Sequence, residues 1–215
     1  MYCLGNPVNL IDPTGMEAEE VKPPGDFFDK NGNYLGKDNI NDKKIYIADS
    51  VHKDGNGFVD RAKNKTELDL NSDTGKLSRI IFAEARGENR TEKESVADVI
   101  KNRVNSKKFP NTYEKVIKQP YQFSSLLPGD SNKTFYDNPL SKTDNKANNV
   151  AWLDCVGAAI KVMNSPQSLT NGSLLYYSPD SMRPKGAIPK WDFSLLQEVK
   201  IDGVRANRFK FYKDK

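Results

Sequence analysis

The spacing of apolar residues along the chain changes about a third of the way from its beginning. Before that point they occur in short bursts, Phe27-Phe28 and Tyr34-Leu35 among them, and turn-forming residues separate the bursts. Asn31-Gly32 stands between these two bursts, and this pair is typical of the tight turn of a β-hairpin. Residues 16–72 are therefore predicted to form a linker that carries short hairpins and has no hydrophobic core of its own.

The apolar residues of the following part recur every three or four positions, which is the spacing of helices. The first helix is predicted to run from Asp73 or Thr74 to Gly87, because glycine favours the left-handed conformation found at helix ends. A second helix is predicted from Thr91 to Val104, since Thr91 and Glu94 have the spacing of a capping box. The pattern thus changes to helices near residue 73.

Two more helices and a set of strands complete the predicted domain. The helices are expected at Tyr113–Ile117 and from about Asp144 to Met163, and a strand is expected over Leu174–Tyr177. Leu195–Ile201 and Val204–Tyr212 alternate in the manner of strands and flank Asp202-Gly203, so they are predicted to pair as a hairpin. Helices followed by strands indicate an α+β fold over residues 73–215, mainly helical with a small antiparallel sheet.

Composition excludes several classes of protein. The 215 residues are 36% hydrophobic with a mean hydropathy of −0.74, and none of their apolar runs approaches the roughly 20 residues of a membrane-spanning helix. The beginning of the chain does not have the pattern of a signal peptide. Two cysteines, Cys3 and Cys155, exclude a disulfide scaffold, and nothing indicates that they pair.

A single histidine, His52, argues against zinc amidases, histidine-dependent nucleases and Ser-His or Cys-His hydrolases, which all need histidine in the site. The segment Asp54–Asp60 has some features of a calcium loop, but it lacks the distal Glu of an EF-hand and is better explained as a turn between strands. We therefore expect no metal and no cofactor.

Charge is distributed unevenly between the two parts of the chain. Residues 1–72 hold 13 acidic and 9 basic side chains, a net charge of −4, whereas residues 73–215 hold 16 acidic and 24 basic ones, a net charge of +8. A basic domain is attracted to anionic partners. Peptidoglycan, through its peptide carboxylates, and nucleic acid both meet that description, so charge alone leaves both open.

Glu84 is the strongest candidate for a catalytic residue. It follows Leu77, Ile80 and Ile81 at intervals of seven, four and three, which places it on the apolar stripe of the first helix. Burial and the negative end of the helix dipole both raise the pKa of a carboxyl there, and a protonated acid near neutral pH can protonate a glycosidic oxygen. The alternative is that Glu84 lies at the edge of the apolar stripe and pairs with Arg86 or Arg103.

Residues 79–88, Arg-Ile-Ile-Phe-Ala-Glu-Ala-Arg-Gly-Glu, resemble the opening motif of the cell wall hydrolase family typified by spore-cortex-lytic enzymes. The similarity continues in order through 95–104, 109–112, 116–117, 122–124, 158–159, 172–177, 201–203 and 208–212. In total it extends over about 140 residues.

The resemblance implies a lysozyme-like fold related to that of lytic transglycosylases, and cleavage of the glycan strands of peptidoglycan. It implies that Glu84 is the essential acid. The residues that it implies for the sugar-binding groove are Gln122, Phe123, Ser124, Tyr176 and Tyr177, although an ordinary core role is the alternative for the aromatic ones. Arg86, Asn102 and Arg103 are expected to be structural or orienting, with Asn102 and Arg103 holding the second helix against the first.

The need for a second carboxylate depends on the reaction. Hydrolysis by inversion or retention requires one, and Glu88, Asp98 and Asp180 are the candidates, with Glu88 the nearest in sequence to Glu84. A lytic transglycosylase needs only one acid, which protonates the leaving oxygen and then deprotonates the muramic acid 6-hydroxyl. We favour this route, and the choice between anhydro and hydrolytic products stays open.

The opening segment, residues 2–15, resembles the end of an Rhs/YD-repeat core, and residues 25–36 resemble a connecting segment of Rhs toxins. This implies that residues 1–15 are a remnant of the Rhs core, and that 73–215 is the toxin of a longer polypeptide. A secretion system would deliver it to the periplasm or cell wall of a target bacterium. The Rhs shell, a cognate immunity protein and peptidoglycan would be its partners, without nucleic acid or membrane insertion.

Three alternatives remain from the sequence. One is a nuclease toxin of an Rhs protein, which would need acidic clusters or a histidine base. Another is a non-catalytic glycan-binding module. The third is a housekeeping cell wall enzyme with an unusual beginning.

Overall fold

A computed structural model describes residues 25–40 and 42–215, together with the backbone of 10–11 and 19–20. Strands β1 to β8 are Leu10–Ile11, Glu19–Glu20, Asp26–Phe28, Tyr34–Lys37, Ile45–Ile47, Ser50–Lys53, Val59–Lys63 and Thr66–Glu67. Helices α1 to α5 are Asp73–Ala85, Arg90–Asn105, Tyr113–Ile117, Lys133–Asp137 and Lys146–Asn164. Strands β9 to β11 are Leu175–Tyr177, Leu196–Val199 and Lys210–Asp214. None of the helices in the described part has the length and apolar character needed to cross a membrane.

The chain divides into two compact units. The first contains the described residues up to Asp29 and Tyr34–Glu67, and the second contains Lys30–Asn33 and Leu68–Lys215. The predicted Rhs remnant at 1–15 lies outside the described residues except for the backbone of β1. The predicted boundary near residue 73 stays a prediction.

The first unit is built from two small sheets. One has the strand order β4-β3-β5-β8, and the other is the antiparallel pair β6-β7. Strands β3 and β4 pair antiparallel on either side of Asn31-Gly32, which confirms the predicted hairpin. Between β6 and β7, the Asp54 carboxylate accepts the N–H groups of Asn56 and Phe58, so this segment is a turn, as expected.

This unit also has a small core, so the expectation that the segment lacks one is wrong. Phe27, Tyr46, Ala48 and Val59 are buried together, and the rings of Phe27 and Tyr46 stack with their centroids 4.9 Å apart. Each of these residues belongs to a run of four or fewer apolar positions. The core forms because separate strands bring single residues together, which no local periodicity reveals.

The second unit has the predicted α+β fold, with five described helices and an antiparallel sheet of order β10-β11-β9. Its core forms around α1, which packs against α2 and α5. Leu77, Ile80 and Phe82 of α1 are fully buried, and the Phe82 ring lies edge-on to Trp152 of α5 at 5.4 Å. Burial of such side chains stabilises the unit by roughly 2 kcal/mol each. The apolar stripe of α1 therefore has the inward orientation that the sequence predicts.

The start of α2 differs from the prediction. Asn89 caps the helix by accepting the N–H of Glu92, and the Glu92 carboxylate accepts the N–H of Asn89 in return. Thr91 and Glu94 are therefore not the capping pair. Asn is at least as good an N-cap as Thr, and Glu94 is instead held by Arg90 and Lys161.

The closing hairpin begins its second strand later than predicted, at Lys210 rather than at Val204. The segment from Val204 to Phe209, with Gly203 before it, does not pair with β10; Gly203 and Arg205 form hydrogen bonds with the start of α2 instead. The Asn89 side chain donates to the carbonyl of Gly203, and Arg205 donates to the buried Glu92 carboxylate through both its backbone N–H and its guanidinium. The sequence does not predict α4 because this helix has no side-chain N-cap and only two adjacent apolar residues, whereas the equally short α3 is capped by Thr112.

The Glu92–Arg205 contact is an ion pair with one fully buried partner. Burial raises the pKa of Glu92, but hydrogen bonds from the Arg205 side chain and backbone and from Asn89 outweigh it and hold that pKa at about 2. A lowered folded-state pKa contributes stability that is present above the ordinary value of 4.5 and is lost as the pH falls towards 2. The pair therefore stabilises the unit at neutral pH.

Replacement of Arg205 by Ala is expected to lower the free energy of unfolding of the second unit at pH 7, because it leaves the Glu92 carboxylate buried without its main partner. Urea unfolding of the full chain measures the loss, with Lys108→Ala as the control. Lys108 pairs with Asp214 at the surface, where both side chains are at least half exposed, so its loss is expected to cost less than about 0.5 kcal/mol. Equal stabilities of the two variants would contradict the interpretation.

Candidate active site

Glu84 lies in the last turn of α1, one step beyond the buried stripe formed by Leu77, Ile80 and Ile81. Its side chain is half-buried, so it does not point into bulk solvent. One carboxylate oxygen, Oε1, accepts the backbone N–H of Ser125 at 2.9 Å. The other oxygen is left to carry a proton or to meet a substrate.

The surroundings of Glu84 favour its protonated form. Burial raises its pKa, contacts with Ser125 lower it in part, and the negative charge of Asp130 raises it further. The net direction is upward from the ordinary value of 4.5. A carboxyl group with a raised pKa is suited to donate a proton near neutral pH.

The turn that contacts Glu84 follows the predicted groove residues Gln122, Phe123 and Ser124. Phe123 is 2% exposed, so it anchors this turn in the core instead of offering its ring to a sugar. Gln122 and Ser124 are exposed on either side of it. Ser125 is buried, and its side chain and its backbone N–H both lower the pKa of Glu84 in part. The sequence pattern does not single out Ser125, although this residue directly follows the motif.

The two tyrosines of β9 lie on opposite faces of the sheet, as alternation along a strand requires. Tyr176 packs with Phe209 and Phe211, at centroid distances of 5.7 and 5.9 Å. Burial raises the pKa of Tyr176, and the negative charge of Glu84 raises it further, so the phenol and this carboxyl are close enough to interact. Of the two tyrosines, it is therefore Tyr176 that the structure brings towards Glu84.

Tyr177 belongs to a separate aromatic cluster on the other face. Its ring lies 5.8 Å from that of Trp191 and 6.2 Å from that of Tyr212, and Phe193 packs against both of these rings. The two adjacent tyrosines therefore do not line one groove together from the strand, which the two-residue period already implies.

Arg103 holds β9 against α2. Its Nε donates to the carbonyl of Leu174 at 2.8 Å, and its guanidinium lies 5.2 Å from the centre of the Phe109 ring and 6.0 Å from that of Tyr176. The side chain is almost fully buried, and its Nη1 has no hydrogen-bond partner in the described part of the chain. Arg103 therefore positions the strand that carries Tyr176.

Asn102 and Asp98 hold the loop that precedes β9. The Asn102 side chain donates to Thr170 and to the carbonyl of Ser173, and one Asp98 oxygen accepts from Ser168 and from both the N–H and hydroxyl of Thr170. The expectation that Asn102 and Arg103 fix α2 to α1 is therefore wrong. Their partners lie in the segment 168–174, far along the chain, which local patterns do not reveal.

The candidates for a second acid are all engaged in other contacts. Glu88 is paired with Arg205 and Arg208 through both of its oxygens. Asp98 is committed to the loop described above, and Asp180 contacts Asn207 and Arg208.

Arg86 contacts neither Glu84 nor Glu88 in the hydrogen bonds of this site. It donates to the Asn132 side chain at 2.8 Å, and its guanidinium lies 4.0 Å from the centre of the Phe135 ring. It therefore holds the segment around α4 to the end of α1.

The remaining titratable candidates lie elsewhere. His52 bonds to Asp60 at 2.7 Å within the first unit. Cys155 is free and buried in α5, and Cys3 lies outside the described residues. Across residues 25–40 and 42–215, no group of three or more His, Cys, Asp or Glu side chains is arranged to hold a metal ion.

Comparison with known proteins places these features in context. Residues 87–205 match a family model described as Cell Wall Hydrolase. This range begins three residues after Glu84, so the match does not itself include the candidate acid.

Among curated proteins, a spore cortex-lytic enzyme of Bacillus cereus is 30% identical over 125 residues, which is 58% of this chain and 40% of that protein. The spore cortex-lytic enzyme of Halalkalibacterium halodurans is 26% identical over 129 residues, 60% of this chain and 34% of that protein. The chain thus matches less than half the length of these relatives.

Two solved structures are also similar. The catalytic domain of the germination-specific lytic transglycosylase SleB from Bacillus anthracis is 27% identical, with a TM-score of 0.41, and the match covers 66% of this chain and 95% of that domain. The catalytic domain of the Bacillus cereus SleB protein gives the same identity and TM-score, with 89% of that domain covered.

Proposed function

Because this chain belongs to the cell wall hydrolase family, we propose that its second compact unit cleaves the glycan strands of peptidoglycan with Glu84 as the general acid. The observation that carries the proposal is the half-buried Glu84 carboxyl, held by the Ser125 N–H and with its pKa raised by burial. The net charge of +8 over residues 73–215 supports it, since peptidoglycan carries peptide carboxylates.

The reaction begins with proton transfer from Glu84 to the oxygen that bridges two sugars. The C1–O bond breaks, the leaving sugar keeps the proton, and C1 becomes electron-poor. The Ser125 N–H, which donates to Oε1, stabilises the carboxylate that Glu84 becomes. The exposed Gln122 and Ser124 beside this turn are suited to hydrogen-bond the sugar substituents.

A single acid completes the reaction. The Glu84 carboxylate accepts the proton of the muramic acid 6-hydroxyl, whose oxygen bonds to C1 and forms a 1,6-anhydro ring. This restores the protonated acid without a water molecule. The lytic transglycosylase route is supported by the engagement of Glu88, Asp98 and Asp180 in other contacts, because hydrolysis requires a second free carboxylate.

Replacement of Glu84 by Gln is expected to reduce peptidoglycan cleavage by about 10²–10⁴-fold, because the amide cannot donate the proton. The free energy of unfolding at pH 7 is expected to stay equal or rise, since the variant no longer buries a carboxylate. Zymography with purified peptidoglycan measures the activity, and mass spectrometry identifies anhydro or reducing ends.

Glu114→Gln is the matched control, because Glu114 is an exposed glutamate of α3. If the Glu84→Gln variant cleaves peptidoglycan as fast as the wild-type chain, the proposed role of Glu84 as general acid is contradicted. Glu84-independent degradation of DNA or RNA would favour a nuclease, and binding without cleavage would favour a glycan-binding module.

The pH dependence of cleavage is expected to follow the raised pKa of Glu84. A general acid works below its pKa, so activity should persist above the ordinary value of 4.5 and fall as the pH rises past the pKa of Glu84. Asp130→Asn removes a negative charge that raises this pKa, so the alkaline limb of the kcat/KM profile should move to lower pH. The N–H of Asn132 donates to the Asp130 carboxylate, and the side-chain amide oxygen of the Asp130→Asn variant can still accept this hydrogen bond. An unchanged limb would contradict this assignment.

We further propose that the enzyme is the toxin of an Rhs protein that acts in the cell wall of a target bacterium, with a cognate immunity protein as its partner. The proposal is supported by the resemblance of residues 2–15 to the end of an Rhs core. A housekeeping cell wall enzyme is the alternative.

Expression of the chain in a bacterial host, with and without an export signal, tests the site of action. Lysis is expected only when the chain is exported, and the Glu84→Gln variant should abolish it, because peptidoglycan lies outside the cytoplasm. Toxicity of the unexported chain would contradict a cell wall target.

A further inference from the structure

Tyr121 occupies a position in the backbone that a large side chain rarely takes. The N–H of Gln122 donates to the carbonyl of Gln119 at 3.3 Å, Pro120 is the second residue of this turn, and Tyr121 is the third, with a φ of 62°. These are the features of a type II turn, whose third residue is normally Gly or Asn because its φ is positive. A tyrosine there is disfavoured by about 1 kcal/mol or more.

Packing does not explain why a tyrosine stands at position 121 either. The Tyr121 side chain is 87% exposed, the highest value among the large hydrophobic side chains described as exposed. An aromatic ring gains stability mainly through burial, so this ring contributes little to the fold. Neither the backbone nor the core therefore accounts for an aromatic side chain here.

The position of Tyr121 along the chain links it to the active site. It lies four residues before Ser125, whose N–H contacts Glu84, so the two Cα atoms are separated by at most about 14 Å. Phe123, buried between them, fixes this short segment to the core. The exposed side chains of Gln122 and Ser124 belong to the same segment. The ring is thus held within a few sugar units of the proposed acid.

We propose that Tyr121 contacts the substrate by presenting its ring to a sugar of the glycan strand near Glu84. The inference rests on the proposed function and names a further binding residue for it. The apolar face of a pyranose ring packs on an aromatic face, and the buried Phe123 fixes the backbone segment that carries the Tyr121 ring.

The decisive variant is Tyr121→Gly. Glycine adopts the positive φ without strain, so the melting temperature should be unchanged or higher, whereas the loss of the ring should weaken substrate binding. The expected change is a roughly three- to tenfold increase in KM for soluble glycan fragments, with kcat within about twofold of wild type. Tyr121→Trp should keep the wild-type KM, because it retains an aromatic face.

Val150→Ala is the control, because Val150 is an apolar residue of α5 that is 60% exposed and its truncation should leave KM unchanged. A wild-type KM for Tyr121→Gly would overturn the proposal. So would a Tyr121→Trp variant that loses as much binding as Tyr121→Gly.

A binding measurement on a variant that cannot cleave the substrate tests the role of Tyr121 separately from the proposed function. In the Glu84→Gln background, cosedimentation with purified peptidoglycan should show a three- to tenfold weaker half-saturation when Tyr121 is also replaced by Gly. If the wild-type enzyme does not cleave peptidoglycan, the proposed function fails, but this measurement still decides the role of Tyr121. Equal binding of the two variants would overturn the role of Tyr121 alone.

Discussion

The hydrogen bond from the Ser125 N–H to Glu84 Oε1 is the contact on which the proposed active site depends. A carboxyl group at the end of an apolar stripe must be buried enough to keep its proton, yet it needs a partner when it becomes an anion. A backbone donor meets both requirements, because it adds no charge that would hold the carboxylate ionised. The buried ring of Phe123 fixes the turn that supplies this donor.

The other side of the site relies on buried polar groups of α2. Asp98, Asn102 and Arg103 together hold the segment 168–174, and this segment leads directly into the strand that carries Tyr176. Buried polar networks of this kind fix one arrangement of the chain, since any other would leave their groups unsatisfied. The helix thus determines where the sheet can present its aromatic residues.

The sequence predicts the parts of this structure that depend on neighbouring residues. The inward face of α1, the position of Glu84 and the hairpin at Asn31-Gly32 all follow from local spacing, and each is present. The partners of Asn102 and Arg103, the late start of β11 and the core of the first unit depend on residues that are distant along the chain. Helical periodicity places Glu84 on the inward face of α1, whereas Ser125 meets it only through tertiary folding.

The contact between Glu92 and Arg205 has a consequence for the timing of synthesis. The two residues are 113 positions apart, and translation at 5–20 residues per second needs on the order of ten seconds to supply the second after the first. Until then, the Glu92 carboxylate at the start of the nascent α2 lacks its Arg205 partner. The start of α2 therefore reaches its final contacts only after residue 205 has been synthesised.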